Sequence, residues 1–104
     1  MKAIIKGLRY DTATATELAC AESHHNRGDF HWWCERLYKT ARGAYFLAGE
    51  GGPLSHWSQP AGSNGSASGE GIRPLDQVEA RHWCEDNKMV DVLESEFGGD
   101  IKDA

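Results

Sequence analysis

Trp33-Cys34-Glu35-Arg36-Leu37-Tyr38-Lys39-Thr40-Ala41-Arg42-Gly43-Ala44-Tyr45-Phe46-Leu47-Ala48 is the stretch that decides the fold. Ala44 to Ala48, centred on Tyr45-Phe46-Leu47, is the clearest strand in the chain, aromatic and aliphatic without a break. The first half alternates. Trp33, Glu35, Leu37 and Lys39 fall on one side, and Cys34, Arg36 and Tyr38, with the preceding Trp32, on the other. Neither side is cleanly apolar, so this strand reads as partly covered on both faces. Thr40-Ala41-Arg42-Gly43 joins the halves, with glycine where a tight turn needs positive φ. The whole reads as a β-hairpin over about 33–49.

Toward the N-terminus, His25-Asn26-Arg27-Gly28-Asp29 is rich in turn formers. Before it, Thr14 to Ala21 mixes helix formers (Ala, Glu, Leu) with threonines that favour strand, three of them in the five positions from Thr12 to Thr16. Followed by a turn and a second strand, it reads as a strand over roughly 15–23. Lys2 to Tyr10 alternates loosely and reads as one short strand or an extended arm, closed by a turn at Asp11-Thr12.

Toward the C-terminus, residues 49–71 hold seven Gly, five Ser and two Pro, with only Leu54 and Trp57 as anchors. A connection this long and this composed reads as a functional loop. Ile72-Arg73-Pro74-Leu75 reads as an edge strand, because proline cannot donate to a central ladder. Asp76 and Glu79 make a capping box that opens a helix running to about Asn87, with Ala80, Trp83, Cys84 and Asn87 on one stripe. Met89, Val92, Leu93, Glu96 and Phe97 mark a second helix over about 89–97, stopped by Gly98-Gly99. Residues 98–104 read as a frayed tail. The fold class is α+β: one domain over 1–104, with N-terminal strands and hairpins in 1–48, the loop 49–71, and an edge strand and helices in 72–97. The sheet is small and antiparallel, of three to four strands, and two C-terminal helices pack on one of its faces.

A chain of 104 residues buries about 65% of its unfolded surface, enough for one core. Its 39% apolar and 26% charged residues are ordinary for a globular domain. No apolar run approaches the ~20 residues of a membrane span, and the charged start, Met1-Lys2-Ala3-Ile4-Ile5-Lys6, does not fit a secretory leader. Three cysteines argue against a disulfide framework and for a reducing cytoplasm. The net charge of −5 is uneven: residues 1–75 balance at +1, and residues 76–104 at −6. An acidic face repels nucleic acid and attracts basic protein surfaces, although it can equally be a solvated face that keeps the protein in solution.

Tyr10-Asp11-Thr12 with Thr14-Ala15, Leu37-Tyr38-Lys39-Thr40 with Gly43, Tyr45-Phe46-Leu47, Gly49-Glu50-Gly51-Gly52-Pro53-Leu54-Ser55, Ile72 with Pro74-Leu75, and Ala80 with Trp83 carry a resemblance. Together they resemble a widespread set of short bacteriophage, prophage and plasmid proteins, most of unassigned function. The likeness covers about 8–97 and is most specific over 37–55. It implies a protein that binds and blocks host machinery, in the manner of anti-CRISPR inhibitors. A Cys/His cluster is not part of that pattern.

Such a cluster is the sharpest local feature here. Cys20, His24, His25, His31 and Cys34 lie within fifteen residues. Cys20, His24, His31 and Cys34 supply two short-spaced pairs of the kind that hold tetrahedral zinc, if Cys20 and Cys34 face each other across a hairpin turning near Arg27. His82 and Cys84 are possible replacements. Two buried thiols and ordinary turn histidines account for the same residues, and a Cys20–Cys34 disulfide is a further option. A second constellation sets Arg27, Arg36, Lys39, Arg42 and Arg73 among Trp32, Trp33, Tyr38 and Tyr45, as in sheets that stack single-stranded nucleic acid. The overall charge opposes that use. The glycine-rich loop lacks the Lys-Ser/Thr of a phosphate-binding loop but offers Leu54, His56 and Trp57 to a partner. For catalysis, only Cys34 near His31 has nucleophile-and-base character, and no cleft is evident from the sequence.

The leading expectation is a cytoplasmic, non-enzymatic protein-binding module, an inhibitor of a host defence complex. Glu85, Asp86, Asp91, Glu94 and Glu96 would compete with nucleic acid for a basic groove on a host protein or ribonucleoprotein complex, with Leu54, His56 and Trp57 as anchors. The alternative is a zinc-stabilised module contacting nucleic acid or protein.

Overall fold

A computed structural model describes all of Met1–Ala104. The chain opens with an antiparallel hairpin of β1 (Lys2–Ile5) and β2 (Leu8–Asp11). Its turn is Lys6-Gly7, both left-handed at φ 52° and 78°. Two consecutive positive φ values match the twist of the flanking strands. A lysine in the first of these positions hides that turn, which is why 2–10 reads as one segment in the sequence. β3 (Thr16–Glu22), β4 (Trp33–Lys39) and β5 (Tyr45–Gly51) follow as an antiparallel meander. A small hairpin of β6 (Gln59–Ala61) and β7 (Gly65–Ala67) leads to β8 (Gly69–Leu75), which pairs antiparallel with β5. The main sheet runs β3-β4-β5-β8. Helices α1 (Gln77–Asp86) and α2 (Val90–Phe97) and a 3₁₀ turn over Gly98–Asp100 complete the chain. The fold is α+β, a four-stranded antiparallel sheet with two C-terminal helices.

The capping box is present in both directions. Asp76 accepts from the Glu79 amide at 2.8 Å, and Glu79 accepts from the Asp76 amide at 2.9 Å. Lys88, at φ 58°, breaks the chain between the helices. Ala80, Trp83 and Cys84 of α1 and Phe97 of α2 then close on Ala21, Leu37, Tyr45 and Leu47 of the sheet as one buried cluster. On the opposite face, Phe46 is fully covered, stacked on Tyr38 at 5.2 Å and capped edge-on by Tyr10 at 5.5 Å. Tyr10 thereby fastens the N-terminal hairpin to the sheet.

The 49–71 stretch is not a structureless loop. β5 continues to Gly51, β8 begins at Gly69 rather than at 72, and a hairpin fills part of the interval. Four of the glycines lie in β5 and β8, and Gly49 and Gly71 are bare under one side chain. Gly49 pairs with Gly71 and Gly51 with Gly69. The Trp57 ring lies on this pale patch, where a Cβ on Gly49 would sit 2.1 Å from the indole. Pro74 is tolerated because β8 is an edge. Only Ile101–Ala104 of the expected tail lack regular structure. No helix is long and apolar enough to cross a membrane.

Candidate functional site

Three places gather chemistry: a buried carboxylate, a thiol pair on the open sheet face, and the acidic helical hairpin.

The alternation of β4 sends Glu35 inward, beneath the helices, where it is 4% exposed. Three elements converge on it. Trp83 of α1 donates its indole N–H to Oε1 at 2.8 Å. Trp57 donates its own to Oε2 at 2.7 Å, and Nε2 of His56 donates to the same oxygen. Arg73 of β8 stands 3.8 Å away, its guanidinium over the Trp57 ring at 5.2 Å. Burial alone would push the carboxyl up; the hydrogen bonds from His56, Trp83 and Trp57 reverse this and hold Glu35 below the usual carboxylate range. A buried charge is tolerable only when so satisfied.

This network gives the loop residues a role within the fold. Trp57 is a half-buried inward anchor, its indole N–H spent on Glu35. The half-exposed His56 ring is committed to Glu35, with Trp33 edge-on at 5.6 Å. Leu54 is exposed and has no polar group to commit, and it stands beside the exposed Phe30, whose carbonyl accepts from the Leu54 amide at 2.8 Å. Next to this pair opens a cleft of about 730 Å³, lined by Asp29, Glu50 and Glu70 with Arg27 as its one cation.

The proposed metal ligands do not converge. The register sets Cys20 opposite Arg36 and Cys34 opposite Glu22, so the two cysteines are diagonal rather than directly opposed. Their sulfurs are nonetheless 4.0 Å apart, both as free thiols. The 23–32 connection takes the histidines elsewhere. His31 turns to Asp29, with its amide at 2.7 Å and its ring Nδ1 at 3.2 Å from Oδ1, and lies against His25; His24 is exposed. No group of three or more His, Cys, Asp or Glu side chains is arranged to hold a metal ion. Cys84 belongs to the core, its thiol pushed up to about 11 by burial, and His82 is exposed on α1. Burial, with the neighbouring Cys20, likewise pushes Cys34 up to about 11, so Cys34 with His31 is not an activated nucleophile.

The basic and aromatic residues are mostly spent within the fold. Arg27 covers Trp32 at 4.8 Å and meets Glu50 at 3.3 Å; Arg36 meets Glu17 at 3.4 Å; Lys39 meets Glu96 at 2.8 Å. Trp32 and Tyr45 are buried, Trp32 giving its N–H to Glu22 at 2.8 Å. Of the five cations, Arg42 alone has no carboxylate partner.

On the helical hairpin, Glu85, Asp86, Asp91 and Glu94 are exposed and in no ion pair. Glu96 departs from the expected set: it is half-buried and binds Lys39 and the Tyr45 hydroxyl, which donates at 3.2 Å. Neither helix carries a basic residue in its last turn. Comparison with known protein families, curated proteins and solved structures finds no match.

Proposed function

We propose that this chain is a non-catalytic protein-binding module whose acidic helical hairpin occupies a basic groove on a host protein or ribonucleoprotein complex, displacing nucleic acid. One observation carries this reading. Glu85 and Asp86 end α1, and Glu94 lies in the last turn of α2, where the helix dipole is itself negative. Charge of that sign costs stability there, a few tenths to 1 kcal/mol per residue, and none of these three carboxylates is in an ion pair. Solubility alone does not require carboxylates at the positions where they are least favourable, whereas a basic partner does. The cleft beside Phe30 and Leu54 has the same sign and supplies an apolar rim. The resemblance to phage and plasmid proteins supports a host-directed role as an inhibitor of a defence complex in the cytoplasm.

The test is capture from a host-cell lysate with the intact chain and with Glu85→Lys, Asp86→Lys, Asp91→Lys and Glu94→Lys combined. The wild type should retain a nucleic-acid-binding complex that added oligonucleotide releases, and the variant should not. Equal capture by both, or capture indifferent to oligonucleotide, overturns the reading.

A further inference from the structure

We propose that Cys20 and Cys34 form a two-coordinate site for a soft monovalent cation, copper(I). The pair lies on the sheet face opposite the helices. Cys20 is exposed and Cys34 half-buried, so an ion reaches both from solvent. Their sulfurs are already 4.0 Å apart. Two thiolates on opposite sides of one metal, each at no more than the roughly 2.3 Å of a four-coordinate zinc–sulfur bond, span at most ~4.6 Å. Opening the pair by about half an ångström reaches that span, within the slack of two χ1 angles. A disulfide asks for much more, since the sulfurs would have to close to about 2.05 Å.

Ligand number selects the metal. Zinc in a structural site takes four ligands, and no third His, Cys, Asp or Glu joins this pair. Thiolates suit copper(I), zinc and iron–sulfur clusters, but structural zinc sites and clusters ask for four protein ligands, whereas a singly charged, filled-shell copper(I) is satisfied by two thiolates. The charges around the pair agree. Glu22 and Glu50 are the cross-strand neighbours of Cys34 on its two sides and favour an arriving cation. Arg36, directly opposite Cys20, balances the monoanion that forms. In the binding step both S–H bonds break, both protons pass to solvent, and two Cu–S bonds form. Copper stays at +1, so no oxidant or reductant is needed.

The experiment is an anaerobic titration of the whole protein with copper(I), supplied as its acetonitrile complex against an excess of a chromophoric copper(I) chelator. One copper per chain should be withdrawn from the chelator. Cys20→Ser and Cys34→Ser should each weaken this at least a hundredfold, while Cys84→Ala leaves it unchanged. Cys20 is at the surface, and its variant's circular dichroism identifies any loss due to unfolding. The proposal is overturned if the wild type withdraws no copper, if folded Cys20→Ser withdraws as much as the wild type, or if zinc(II) binds the wild type as tightly as copper(I).

Discussion

Trp83 gives its indole N–H to the carboxylate of Glu35 at 2.8 Å across forty-eight residues of sequence, tying the first helix to the second strand of the main sheet. Trp57 repeats the bond from the other side at 2.7 Å. One buried carboxylate thereby joins β4, the segment after β5, and α1. Beside the shared apolar cluster, these elements are tied together by a single polar hub.

Replacing that charge should therefore loosen several elements at once. Glu35→Gln keeps the shape but turns an amide N–H₂ toward groups that are themselves donors. Hydrogen bonds to a charged group contribute about 1.5–3 kcal/mol each, so the variant should lose roughly 2–4 kcal/mol, read by urea denaturation. Trp83→Phe should lose somewhat less, since it removes one donor and leaves those of Trp57 and His56. A loss below about 1 kcal/mol for Glu35→Gln would make the hub incidental.

Acid should act through the same group. The fold depresses the Glu35 pKa, so its contribution is complete above the unfolded carboxyl value of about 4.3 and is lost as pH falls through the lower folded value. Asp29, also depressed, through the His31 amide, works in the same direction. The melting temperature should fall as pH drops below about 4, and Glu35→Gln should flatten that slope. An unchanged slope in the variant would assign the acid sensitivity elsewhere.

How much of this was legible in the sequence depends on the reach of each interaction. The hairpin at 33–49 and the capping box of Asp76 and Glu79 rest on neighbours within a few residues, and the sequence reading placed both. Glu35 did not announce itself. A charged residue in a strand reads as solvent-facing, and its donors lie 21, 22 and 48 positions away. One signal was present: Glu35 shares a face with Trp33 and Leu37, in a chain with four indole N–H groups to satisfy. The glycines misled for a related reason. Composition marks them as loop, whereas Gly49 and Gly71 are strand residues under a distant tryptophan. The thiol pair was foreseen but its register was not, because the turn between β3 and β4 fixes register and its conformation is not local knowledge.

The glycine account predicts an asymmetry between two residues that face each other. A Cβ on Gly49 would lie 2.1 Å from the Trp57 ring, while one on Gly71 meets it at 3.6 Å, ordinary contact. Gly49→Ala should cost about 1–3 kcal/mol by overpacking and red-shift tryptophan emission as the ring is displaced. Gly71→Ala should be nearly silent in both measurements. Equal effects would mean that the strand backbone, and not the tryptophan, requires these glycines.

The acidic residues should divide the same way, because the fold uses only some of them. Glu96 is held by Lys39 and Tyr45, so Glu96→Lys should lower the melting temperature by roughly 5 °C. Glu85, Asp86 and Glu94 oppose the dipoles of their own helices and are paired with nothing. Reversing all three should leave the melting temperature unchanged or raise it, by up to about 0.3–1 kcal/mol per site at low salt, with the gain shrinking as salt is added. A stabilised variant that no longer captures a partner would show that these carboxylates are kept at a thermodynamic cost for binding. If the triple reversal destabilised the protein instead, an unrecognised internal partner would hold those side chains, and the surface proposed to meet a basic groove would belong to the fold itself.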